Sequence, residues 1–141
     1  MFANIVSIDK LQELSKNSLS DHLGVEFTEV GADYIIAKMP VDHRTRQPFG
    51  ILHGGASVAL AETLGSVASL LCLKDTDTQQ AVGLDINANH IRPIKEGFVY
   101  GKVKALHIGR STHIWEIKIT DIDEKLVCIS RLTVTIIETR N

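Results

Sequence analysis

Hydrophobic and polar positions follow two periods along this chain, and the change between them divides it. Over residues 53–73 apolar or small residues occupy every side of a helical wheel, the pattern of one long helix wrapped by other elements. From residue 81 onward the period is two. Val82, Leu84, Ile86 and Ala88 alternate with Gly83, Asp85, Asn87 and Asn89, and Trp115, Ile117 and Ile119 alternate with Glu116, Lys118 and Thr120. With the runs 98–108 and 126–137 this gives four strands joined by short turns, which predicts an antiparallel meander. Ahead of the long helix, the β-prone runs 24–30 and 34–41 flank Gly31-Ala32-Asp33 and read as a hairpin that joins the same sheet. Ile8, Leu11 and Leu14 recur at helical spacing behind Ser7, a short capped helix. Residues 42–50 and 74–80 are polar and read as loops.

The expected architecture is α+β, a curved antiparallel six-stranded sheet wrapped around one long central helix, with residues 1–141 forming one domain. A sheet of this kind leaves two edge strands that need partners, so homo-oligomerisation is expected.

Composition narrows the function classes. A hydrophobic fraction of 44%, 23% charged residues and a formal charge of -2 fit a soluble globular chain and give no footprint for nucleic acid. Cys72 and Cys128 lie in apolar runs and read as reduced core residues, and no Cys or His pair has zinc-ligand spacing. Asp85, Asn87 and Asn89 are more simply the polar side of a strand than a metal site, so neither metal nor cofactor is expected. The N-terminal MFANIVSIDK reaches Asp9 too early for a secretory signal, and the apolar span holds Gly, Ser and Glu62, so no membrane anchoring and a cytoplasmic location are expected.

Glu62 is the single charged residue between Gly54 and Leu73, and a carboxylate in apolar surroundings calls for a hydrogen bond, a partner or a chemical task. Gly54 and Gly55 stand where the helix starts, where unpaired N–H groups and a partial positive charge can hold an oxyanion. His53 precedes Glu62 by nine residues (62 - 53 = 9), a rotation of about 900° and a rise of about 13 Å, so the two side chains lie on opposite faces. If they serve one site, that site is built between two subunits, the helix start of one facing the carboxylate of the other. Ser66, at Glu62 plus four, shares the carboxylate's face and can hold a substrate group, and Gln47 can donate to the same carbonyl.

The run QPFGILHGGASVALAET, the following GLDINANHIRP and the late SRLT resemble the hotdog-fold acyl-CoA thioesterases over residues 23–137. The likeness is strongest to the bacterial subgroup acting on aromatic acyl-CoA esters, which includes dihydroxynaphthoyl-CoA hydrolases, enterobactin-pathway proofreading thioesterases and glutamate-dependent hydroxybenzoyl-CoA thioesterases. The resemblance implies that Glu62 is the catalytic carboxylate, that Gln47, His53 and Gly54 orient and polarise the thioester carbonyl, and that Ser66 sits near the acyl ring. It also implies a site at a dimer interface, in agreement with the helical arithmetic, and a homotetramer built as a dimer of dimers is expected. Glu62 either attacks the carbonyl or removes a proton from water; both routes stay open.

Further candidates are weaker. His90 ends a strand and reaches either the acyl pocket or only the sheet edge. Arg92, Arg110, Ser111 and Thr112 are read as coenzyme A contacts because the resembled family binds its nucleotide with this region; otherwise Gly109–Thr112 is an exposed turn. His22, His43, His107 and His113 read as structural or exposed. No GxSxG elbow, GxGxxG fingerprint or P-loop occurs, against an α/β-hydrolase, a Rossmann enzyme or an NTPase. The substrate that the resemblance implies is an acyl-CoA, with a thioester on an acyl or aryl carrier protein as the other possibility. A hotdog dehydratase or hydratase and a non-enzymatic acyl-CoA binding protein are the alternatives, and the acyl group itself is not read from the residues.

Overall fold

A computed structural model describes residues 1–139. Its elements run α1 (Ile8–Leu14), α2 (Leu19–His22), β1 (Glu26–Val30), β2 (Tyr34–Pro40), α3 (Gly54–Cys72), β3 (Gln79–His90), β4 (Phe98–Ile108), β5 (Thr112–Thr120) and β6 (Leu126–Glu138). Ser7 caps α1, accepting the Lys10 N–H at 3.2 Å, and Ser18 caps α2. The six strands form one antiparallel sheet in the order β1-β2-β4-β5-β6-β3, and α3 packs against β2 to β6.

That order corrects the expected four-strand meander. β4, β5 and β6 do follow one another, whereas β3 pairs with β6, and β2 takes the free side of β4. Residues 91–97, which join β3 to β4, hold Pro93 and no hairpin turn. The linker is pinned across the end of the sheet where Leu52 N–H donates to Ile94 O at 2.8 Å. Three inter-strand steps amount to about 14 Å, and this linker reaches about 24 Å when extended, so the crossover is easily spanned. β3 thus becomes an edge strand. The alternation read along it is also interrupted, because a bulge between Gly83 and Asp85 leaves Leu84 without a pair on β6. Ala81, Ile86 and Ala88 pack towards the core, while Val82 and Leu84 are 42% and 68% exposed.

The helix is not wrapped on every side. Ala56, Ser57, Leu60, Ala61, Leu64, Gly65, Ala68, Ser69 and Leu71 are buried against the sheet. Gly55 and Glu62 are exposed, and Ala59, Thr63, Ser66, Val67 and Leu70 are half-buried along the same stripe. Small residues on that stripe disguise it in sequence, since alanine, glycine and serine suit either environment. By length and apolarity α3 could pass for a membrane span, but half of that window is buried within the fold.

Trp115 lies fully buried beneath the last turns of α3 and donates its indole N–H to Ser69 Oγ at 2.7 Å; His113 Nδ1 lies 3.1 Å from the same oxygen. Cys128 is in the core, Cys72 packs beside it, and both thiols are free and pushed up by burial. Asp85, Asn87 and Asn89 are exposed along β3, His22, His43 and His107 are exposed, and His113 is buried. Among the described residues no cluster of three His, Cys, Asp or Glu could hold a metal ion.

Candidate functional site

The start of α3 is built by the loop before it. Arg44 bridges Asp42, with Nη2 2.7 Å from Oδ2, and holds its carboxyl down to about 2. Thr45 is buried and donates to Pro40 O at 2.7 Å, and Thr45 O accepts the His53 N–H at 2.8 Å. This brace hands the chain to the helix at His53, its N-cap. There the imidazole Nδ1 accepts the Gly55 N–H at 2.7 Å, while His53 O accepts the N–H groups of Ala56 and Ser57 at 3.0 and 3.3 Å. A ring nitrogen that accepts carries no proton, so the His53 proton sits on Nε2. Among the described residues the Gly54 N–H has no partner and is the open donor of the first turn.

Gly54 opens onto a cleft of about 330 Å3 lined by Gln47, Ile51, Leu52, Ser57, His90, Ile91, Arg92, Pro93 and Val127. The His90 ring lies so close that a β-carbon on residue 54 would stand 2.7 Å from His90 Nε2, so glycine keeps this stretch of backbone open. Gln47 Oε1 accepts the Phe49 N–H, which leaves its NH2 group as a donor. The cleft therefore gathers an amide N–H, a carboxamide, a hydroxyl, an imidazole and a guanidinium, a donor-rich pocket able to hold a carbonyl oxygen as charge develops on it.

A second groove, of about 370 Å3, lies on the open stripe of α3, between Ser66, Val67 and Leu70 and the segment Thr76, Gln79, Gln80 and Ala81. Glu62 sits one turn before it on the same stripe. The carboxylate is not sunk among apolar groups as its sequence neighbours suggested. It is exposed, and it lies against its own chain's edge strand at Gly83 instead of pointing clear of its own sheet.

Within one chain, then, Gln47, Gly54, His90 and Arg92 are brought together, Ser66 lines the other groove, and Glu62 stands one turn before it on the same open stripe. His53 belongs to neither: its ring turns to the opposite lip of the helix start, beside Arg44, Arg46 and Gly55. Arg110 lines a third cleft with Cys72, Lys74 and His113 at the far end of α3, with Ser111 exposed and Thr112 half-buried next to it, so these residues and Arg92 do not meet in one chain. Sequence reasoning missed Ser57 and Gly83. Ser57 carried a signal, since it follows Gly54 by three residues and so shares its face; Gly83 carried none, because the bulge beside it is set by pairing with β6.

The family described as the thioesterase superfamily matches residues 49–128. The 1,4-dihydroxy-2-naphthoyl-CoA hydrolase of Escherichia coli (strain K12) is 46% identical over 132 residues, which is 94% of this chain and 96% of that protein. The crystal structure of a thioesterase from Haemophilus influenzae superposes with a TM-score of 0.93 at 48% identity, covering 97% of this chain and 94% of that one. Two mutants of one Staphylococcus aureus protein, a glutamate-to-alanine and a glutamine-to-alanine form, superpose with TM-scores of 0.83 and 0.80 at 39% identity. They cover 86% and 84% of this chain, and 99% and 97% of their own. The six-stranded antiparallel sheet around one long helix is the hotdog fold of these neighbours, and this chain belongs to the thioesterase superfamily as a thioester hydrolase.

Proposed function

We propose that the chain hydrolyses acyl-CoA thioesters with an aromatic or hydroxyaromatic acyl group, at a site completed by a second copy of itself. The observation that carries this reading is the division of one chemistry between two open grooves on α3, with oxyanion donors at its start and a carboxylate on its middle. The Gly54 N–H and the Gln47 amide hold the carbonyl oxygen of the thioester, an effect worth about 3 to 4 kcal/mol for one donor. Glu62 of the other copy attacks the carbonyl carbon or deprotonates water, and coenzyme A leaves as the thiolate. His53 acts by capping the helix and so keeping the Gly54 N–H free. Ser66 and the groove beside it receive the acyl ring, His90 backs the carbonyl cleft, and Arg92, with Arg110, Ser111 and Thr112 of the other copy, takes the coenzyme A phosphates.

Two comparisons support the reading. The E. coli relative bears the name of an aromatic acyl-CoA hydrolase. The residues replaced in the two S. aureus mutants are a glutamine and a glutamate fifteen positions apart, the separation of Gln47 and Glu62 here (62 - 47 = 15). The exposed apolar residues Val82 and Leu84 of β3 supply the surface on which a second copy would close the grooves, a dimer that pairs again into a tetramer in the cytoplasm.

A thiol-release screen over benzoyl-, dihydroxynaphthoyl-, medium-chain and long-chain acyl-CoA, with an aryl carrier protein thioester beside them, tests the proposal. Aryl esters should turn over fastest, and Glu62→Ala should abolish release while the oligomer persists. Near-wild-type turnover by that variant, or hydration of crotonyl-CoA in place of thioester cleavage, would overturn it.

A further inference from the structure

Nothing so far gives Ser57 a task. It is 2% exposed and lines the cleft at the helix start, yet its hydroxyl has no hydrogen-bond partner among the described residues. Ser130 Oγ is the one fully buried side-chain polar atom without a partner among the described residues, so the Ser57 hydroxyl opens into the cleft. In a helix a serine ordinarily returns its proton to the carbonyl four residues earlier. Thr63 does so, donating to Ala59 O at 2.7 Å. For Ser57 that carbonyl is His53 O, already taken by two backbone N–H groups. Ser57 stands three residues after Gly54, on the same face, and helical side chains lean towards the N-terminus. Its oxygen therefore leans to the turn whose Gly54 N–H is open.

We propose that Ser57 is a further donor to the thioester carbonyl oxygen, converging on it with the Gly54 N–H and the Gln47 amide. This rests on the hydrolytic reading of the cleft. Negative charge gathers on the carbonyl oxygen during attack; the Ser57 O–H points to it and keeps its own proton throughout, so no bond to serine forms or breaks. An unpaired hydroxyl in the resting chain gains its partner as substrate binds and tightens on it as the oxyanion develops.

The test compares wild type with Ser57→Ala, Ser57→Thr and Glu62→Ala on the best aryl-CoA ester, followed by thioester absorbance, with a thermal melt of each protein. Ser57→Ala is expected to lower kcat about 100-fold with KM within about twofold, and with an unchanged Tm, because no hydrogen bond within the chain is lost. Ser57→Thr, which keeps the hydroxyl, should recover most of the lost kcat. If Ser57→Ala turns over like wild type while Glu62→Ala is dead, the role of Ser57 falls and the hydrolytic reading stands. A fall in Tm together with a loss confined to KM makes Ser57 structural and also overturns the inference. A wild-type protein that cleaves no acyl-CoA ester brings down the underlying reading instead.

Discussion

The carboxylate of Glu62 rests on the backbone of Gly83: a β-carbon added to that glycine would stand 2.7 Å from Glu62 Oε1. The edge strand thus sets where the acid stands. Gly83→Ala forces the flexible carboxylate to swing aside and leaves the sheet alone, so Tm should hold while kcat drops by about 100-fold, the scale of an ångström-size misplacement. Steady-state kinetics beside a thermal melt check this, and unchanged kcat would show that the contact has no part in turnover.

Because the two grooves lie apart on one helix, the proposed site can be rebuilt from two defective chains. Glu62→Ala and Gln47→Ala should each be nearly inactive alone. After mixing under dissociating conditions and reassociation, half of the dimers are mixed, and each of these holds one intact site out of two. About a quarter of wild-type activity should return. No recovery would place both residues in a single-chain site.

How much of this was legible in the residues differs from element to element. The long helix, six strands and the hairpin about Gly31-Ala32-Asp33 follow from period and turn chemistry, and the span 98–108 is reproduced to the residue. The place of β3 was not, because a crossover depends on which strand edge is free once β2 has docked on β4. Glu62 stands out in sequence by its isolation, but its neighbours in sequence suggest a buried setting and the structure leaves it exposed. Ala59, Ser66 and Val67 belong to a helix that reads as wrapped on every side, and in fact lie half-buried on its open stripe. His53 shows the same limit: its position beside the glycines was visible, whereas the turn of its ring to cap Gly55 is a tertiary matter.

Two buried serines should respond in opposite ways. Ser69 Oγ serves the Trp115 indole and His113, so Ser69→Ala orphans a fully buried donor and should cost about 1 to 3 kcal/mol. Ser130 Oγ is buried with no partner among the described residues, so Ser130→Ala should be neutral or stabilising. Denaturant titrations of both variants measure the contrast.

Burial lowers the pKa of His113 below its ordinary 6.5. Below that value the unfolded chain binds a proton that the folded chain refuses, so stability is full above about pH 6.5 and falls as the solution is acidified towards the depressed folded value. The slope of Tm against pH between 7 and 5 should be smaller in His113→Gln than in wild type. Equal slopes would mean that other groups set the acid limb.

His53 occupies three of the four amides at the tip of α3 and leaves one. A tetrahedral phosphate gripped by a helix tip draws on several amides at once, and this tip can offer only a monodentate grasp. Such a tip suits a lone oxygen such as a carbonyl's, so in the proposed site a nucleotide's phosphates would find their counter-charges on guanidinium groups away from it.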